Sequence, residues 1–354
     1  MNMKPVLTGF LALLLPVFLL LAACKSGSGN GKSASLITVD VQEALKKSGV
    51  VKLSEIATDV EFVEFDSVNP DGYFSQTRSV SVGEKYIMIS DELRKQVILF
   101  ERSGKFVRLI GRRGQGPGEY VDCRHAAMDP RGRFIVVADY YSNQLVKFST
   151  SGEYLKSVTL NNVIPPTIID GIVFLDDDHF GLLVRRHGLP TDLYSSFPVF
   201  DPDLNLSGRF LQRANDDNLK IRYNNNKSLF RIGEKVLFHE PYFDTVYHLY
   251  PDGMEIPLYR IDVGKKGFTR EYLSEPAINL NTNQLSFDQI VSVVETPGYL
   301  FIRGYAGKAF ELAYRKKTGE TFSLAVADNC EESGDHFPCM ENDLFGYGDI
   351  KIRW

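Results

Sequence analysis

Apolar and polar positions alternate along this chain in short bursts separated by turns. "YIMISDELRKQVILFERSGKFVRLIG" (86–111) reads as an apolar strand ending in Asp, a polar turn, an alternating strand, a Ser-Gly turn and another alternating strand. "FIVVADYYSNQLVKFSTSGEYLKSVTL" (134–160) repeats that order. Asp91 falls on Asp139, Phe100 on Phe148 and Gly104 on Gly152, each 48 residues further on. Period-two patterning broken by turn residues predicts antiparallel strands. Looser copies run over 179–211, stretched by an insertion at 188–190, over 235–263 and over 299–327. A repeat of roughly 40–50 residues holding about four strands predicts the blades of a β-propeller.

The ends supply a sixth blade. "VKLSEIATDVEFVEFD" (51–66) and "DIKIRW" (349–354) both read as strands. Joining them in one blade closes the ring and leaves no open edge. The predicted fold is therefore all-β: a six-bladed β-propeller of four-stranded antiparallel blades, with the terminal blade closed by N- and C-terminal strands. "VQEALKKSG" (41–49) reads as one short helix before the ring.

Composition agrees with this architecture. The 354 residues are 44% hydrophobic and 24% charged, with 24 Phe and 17 Tyr but a single Trp. Aromatic enrichment suits pleated surfaces. The net charge of -5 gives no basic excess, which argues against a nucleic-acid partner.

Residues 1–23 stand apart. Lys4, an apolar run and Ala22-Ala23-Cys24 form a secretory signal. Leu21-Ala22-Ala23-Cys24 resembles a bacterial lipobox, which implies cleavage before Cys24 and a lipid on that residue. A plain membrane anchor is the other reading, since the run is nearly long enough to span. Residues 24–35, the candidate lipidated Cys and a Gly/Ser-rich tract, read as a flexible tether, and 36–354 as the propeller. The expected address is the cell envelope, at the outer membrane, periplasmic or surface-facing. Cys330 and Cys339, close together in an oxidising compartment, read as a disulfide worth about 2–3 kcal/mol. Asp335 and His336 between them leave an incomplete zinc set. Cys123 reads as a buried thiol.

"GRRGQGPGEY" (111–120) could be a phosphate cradle or a turn. A phosphate loop needs Lys-Ser or Lys-Thr after its last Gly, opening a helix. Glu119 and Tyr120 follow here, and Pro117 removes a donor where a nest would want one. The glycines read as a tight path between two blades.

That stretch and its continuation to Leu155 resemble an NHL repeat. Gly114, Gly116, Pro117, Gly118, Tyr120, Asp129, Gly132, Asp139, Asn143 and Gly152 match the pattern in place, while Glu119 and Gln144 depart from it. The other blades match loosely. Together with the lipobox and residues 51–66, the chain resembles the six-bladed β-propeller lipoproteins of gram-negative gut bacteria, a family mostly without an assigned activity.

In such a blade, the turn after the second strand and the link to the next blade share a face. This gathers Asp91, Glu92 and Arg94 with Arg112, Arg113, Gln115 and Glu119, and with Asp139, Tyr140, Tyr141 and Asn143. Arg124 and His125 begin the next inner strand, and Tyr242 and Tyr305 occupy the equivalent turns of later blades. Aromatic area, Arg forks and acids make this rim a candidate for a peptide, glycan or protein partner. The alternative is a metal-dependent lactonase- or lyase-like enzyme at the channel mouth, where His125 and His239 could converge. It rests on fold analogy, and Ca²⁺ or Zn²⁺ is the ion it would need. No cofactor is otherwise implied, and no catalytic residue stands out, since Ser-elbow and His-Glu-x-x-His motifs are lacking. A structural role in an envelope complex is the third reading.

Overall fold

The chain is an all-β, six-bladed β-propeller, seen in a computed structural model. The structure describes residues 36–324 apart from 60, 67, 162–166, 187–194, 211–227, 233–234, 240–242, 252 and 268–287. The compact unit that carries the blades starts at Leu36.

Five blades are complete four-stranded antiparallel sheets. Blade 1 is Thr77–Val82, Tyr86–Asp91, Gln96–Glu101 and Phe106–Leu109. Blade 2 is His125–Met128, Phe134–Asp139, Gln144–Ser149 and Tyr154–Thr159. Blades 3, 4 and 5 follow over 167–210, 228–262 and 289–324. Each repeat read from the sequence covers the second to fourth strands of one blade. The inner first strand lies just upstream.

The middle strands look almost continuously apolar because both of their faces are covered. In Phe134–Asp139, Phe134, Val136 and Ala138 pack toward blade 3 with Phe180 and Leu182. Ile135 and Val137 of the same strand pack toward blade 1 with Met88, Val97 and Leu99. Similar clusters join blade 3 to blade 4 and blade 4 to blade 5. Each fully buried Phe or Leu in these layers contributes roughly 1.5–3 kcal/mol.

The sixth position lies between blades 5 and 1, and residues 51–66 line it on both sides. Val51 and Ile56 cover the free face of blade 5, on Tyr299, Phe301 and Phe322. Val63 and Phe65 cover the free face of blade 1, on Ile98 and Phe100. This segment differs from its expected strand. Leu53–Glu55 is a 3-10 turn and residues 61–66 carry no ladder, because the segment must turn from one blade face to the other. Asp349–Trp354, Cys24, Cys330 and Cys339 lie outside the described residues.

The N-terminal arm braces the outside of the ring. Ile37–Asp40 adds in parallel to the outer strand Glu255–Asp262 of blade 4. Ser48–Gly49 adds in parallel to Glu320–Leu324 of blade 5. The helix between them spans only Val41–Ala44, capped by the Asp40 carboxylate accepting from the Glu43 N–H. Val39, Val41 and Ala44 are buried in the layer between blades 4 and 5.

Candidate functional site

The turns and links of blades 1 and 2 are built around two buried carboxylates. Asp139 ends the second strand of blade 2. Its Oδ2 accepts from the Val121 N–H at 2.8 Å, and its Oδ1 from the N–H groups of Asp122 at 3.1 Å and Tyr141 at 3.2 Å. One side chain thus clamps the incoming link and caps the outgoing turn. Asp91 does the same in blade 1, accepting from Ser75 at 2.5 Å, Leu93 at 2.9 Å and Arg94 at 3.1 Å. Burial pushes the Asp91 carboxyl up, but these hydrogen bonds outweigh it and hold the group below the usual carboxylate range. Both aspartates are buried, with their oxygens turned to backbone.

The glycine stretch has its own anion. Arg112–Arg113 and Glu119–Tyr120 form a two-stranded parallel ribbon. The Glu119 carboxylate turns back into the loop, accepting from Gly116 N–H at 2.8 Å and Arg112 Nε at 2.6 Å. A Cβ on Gly114 would fall 2.0 Å from Glu119 Oε2, so any side chain there would displace the carboxylate. Below the ribbon, the buried Tyr120 hydroxyl donates to Ile110 O at 2.9 Å and accepts from Val97 N–H at 3.2 Å, fixing the link to blade 1.

Arg124 joins the two turns. Its Nε donates to Asp122 Oδ2 at 2.6 Å, its Nη1 lies 3.8 Å from Glu92 Oε1, and its guanidinium sits 5.8 Å from the centre of the Tyr141 ring. Lys95 reaches the other oxygen of Asp122 at 3.1 Å. Arg94 donates to Pro70 O at 3.2 Å and Tyr73 O at 2.6 Å and lies over the Tyr73 ring. Tyr140 packs edge-on against Tyr141. Tyr73, Leu93, Arg94, Glu92, Arg124 and Tyr141 therefore form one contiguous rim patch. Tyr73, Leu93 and Tyr141 are 59%, 69% and 64% exposed.

The remaining candidates are placed as follows. Arg113 and Gln115 are exposed on the ribbon and its loop. His125 is half-buried at the start of the inner strand of blade 2. Asn143 has a left-handed backbone with φ 47° and donates from its side chain to Asn161. Tyr305 ends the second strand of blade 5, away from this patch. Tyr242 lies outside the described residues. His239 is fully buried, with its ring Nε2 on Phe243 O at 3.0 Å and burial lowering its pKa to about 4. It does not open on the channel beside His125. Among the described residues, no group of three His, Cys, Asp or Glu side chains could hold a metal ion. Sequence reasoning missed Tyr73, because it lies before the first repeat, and Asp122 and Lys95, which carry no motif.

A ring of four-stranded blades with a polar and aromatic rim defines this protein as a β-propeller. More particularly, it belongs to the family described as "Domain of unknown function (DUF4934)", which matches residues 36–351. No curated protein matches the chain in sequence. Among solved structures, the chain is similar to a protein of Bacteroides fragilis named as exported, at 17% identity and a TM-score of 0.56, covering 82% of this chain and 80% of that one. It is also similar to a DUF4221 member from Bacteroides vulgatus, at 12% identity and a TM-score of 0.47, covering 72% of this chain and 82% of that one. A virginiamycin B lyase from Staphylococcus aureus matches at 12% identity and a TM-score of 0.43, covering 71% and 70%. At these identities the likeness is one of fold.

Proposed function

We propose that this chain is a lipid-anchored envelope protein whose propeller binds a peptide, glycan or protein partner through the rim of blades 1 and 2. The observation that carries the reading is the contiguous exposed patch of Tyr73, Leu93 and Tyr141, with Arg94 and Arg124 on the rings. Aromatic and arginine side chains on a pre-set scaffold are the residue types that dominate recognition surfaces.

The N-terminal arm runs along the outer edge of blade 4. Ile37 pairs with Tyr259 and Asp40 with Asp262, so this strand runs toward the face that carries the links and the rim. The chain therefore enters it from the side of the opposite face. Blade 4, where it docks, stands across the ring from blade 1.

Two measurements test the reading. Fatty-acid labelling of the full chain, compared with Cys24→Ser, tests the anchor. Glycan and peptide arrays probed with the native protein and with Tyr141→Ala test the rim. The expected result is a bound ligand whose retention falls at least about tenfold in the variant at an unchanged melting temperature. Ligand binding that ignores both Tyr141→Ala and Tyr73→Ala would place the site elsewhere.

A further inference from the structure

The rim carries many charges, and most are paired within the protein. Arg124 lies between Asp122 and Glu92. Lys95 holds Asp122, Arg112 holds Glu119, and Arg78 stands 3.7 Å from Glu92. Arg94 gives its Nη1 to two backbone carbonyls. To reach Arg112, Arg124 or Lys95, an incoming carboxylate or sulfate would have to displace Asp122, Glu92 or Glu119 while lying beside the acid it displaced. Each such exchange loses a charge-assisted hydrogen bond to gain another, so an anionic ligand gains little net attraction from these three cations.

What stays open is apolar surface with polar groups at its margin. Tyr73 and Tyr141 each have a guanidinium over the ring and remain more than half exposed. The stacked arginines hold the rings in place, which lowers the ordering cost of binding. Fixed guanidinium donors and the carboxylate acceptor Glu92 lie beside the rings. A purely apolar peptide segment would cover the rings but strip water from these groups without replacing its hydrogen bonds, at a cost. A sugar ring answers both features, with C–H bonds on its face and hydroxyls, each a donor and an acceptor, at its edge.

We infer that the rim of blades 1 and 2 recognises an uncharged saccharide, stacked on Tyr73 and Tyr141 and hydrogen-bonded by the flanking Arg124 and Glu92. The inference rests on the rim being the binding surface.

The test is affinity electrophoresis of the full chain through gels holding dextran, soluble starch or galactomannan, against gels holding polygalacturonate or chondroitin sulfate. At least one neutral polymer retards the protein, and that retardation changes less than about twofold between roughly 0.05 and 0.5 M NaCl. Tyr73→Ala and Tyr141→Ala each weaken it about tenfold or more, and Lys317→Ser, in the turn after the third strand of blade 5, leaves it unchanged. Selective retention by the acidic polymers with steep salt loss overturns the inference, as does failure of every neutral polymer to retard. So does rim-dependent capture of peptides from an array with no saccharide bound, an outcome that leaves the rim itself intact. Neutral-polymer binding that survives both tyrosine substitutions overturns the rim reading instead.

Discussion

Glu295 at the start of blade 5 accepts a hydrogen bond from His248 of blade 4, Oε2 to Nε2 at 2.6 Å, with both side chains buried. Its other oxygen accepts from the Tyr259 hydroxyl at 2.8 Å and the Lys316 ammonium at 2.5 Å. The carboxylate therefore bolts two blades together on the face opposite the rim. Burial pushes the Glu295 carboxyl up, but His248 and Lys316 outweigh it and hold the group at about 2. A depressed folded pKa contributes stability that is present above the ordinary value of 4.5 and is lost as pH falls through about 2. Glu295→Gln is expected to cost on the order of 3 kcal/mol at pH 7, because it leaves Lys316 without its charge partner. Urea denaturation of both proteins should show the gap closing as pH drops from 4.5 toward 2. A gap that stays constant with pH would remove the bolt from the account of stability.

The Cys123 thiol is buried beneath the link between blades 1 and 2, and burial followed by the neighbouring Asp122 pushes its pKa up to about 12. A thiol held protonated and out of contact with solvent does not react. Alkylation of the native protein at pH 8, mapped by mass spectrometry, should leave Cys123 unmodified, and denaturant should expose it. Modification of Cys123 in the native protein would mean that the link opens.

Much of the architecture was legible in the sequence, because a blade buries both faces of its middle strands and ends them at fixed offsets. Asp91 and Asp139 are 48 residues apart for that reason, and both prove to be clamps on an incoming link. The same regularity hid their role, since a recurring acid reads equally as a rim ligand. Residues 51–66 carry an apolar rhythm yet form no strand, because they line two different blades. Ile37–Asp40 and Ser48–Gly49 are too short to announce themselves. Parallel addition to a distant outer strand also leaves no local mark. Tyr73 belongs to the rim only through its contact with Arg94, a relationship that spacing does not encode.

Asp139 supplies hydrogen bonds to both sides of one junction, and its loss should be felt there first. Asp139→Ala leaves the N–H groups of Val121 and Asp122 without their acceptor and should destabilise the protein by about 2–3 kcal/mol. Hydrogen exchange should accelerate at residues 119–122 more than in the strands of blades 3 to 5. Asp139→Asn keeps one acceptor oxygen and should fall between the two. Uniform acceleration across all blades would show that the clamp acts globally.

The fit between Gly114 and Glu119 gives the clearest test of what the glycine stretch does. A methyl group at position 114 would occupy the space of Glu119 Oε2, 2.0 Å away, so Gly114→Ala must expel the carboxylate from the loop and should cost about 1–3 kcal/mol. Once Glu119 is alanine, that space is empty. Gly114→Ala should then have little further effect, and the two substitutions should be strongly non-additive in thermal melts. An external anion adds a second reading. If the loop were a phosphate site blocked by its own acid, Glu119→Ala would gain binding of inorganic phosphate. A structural turn predicts no such gain, because the loop would then lack the acid that holds its shape, and Pro117 next to the Gly116 donor offers no N–H of its own. Calorimetric titration of Glu119→Ala with phosphate therefore separates a connection between blades from a cradle that has been filled.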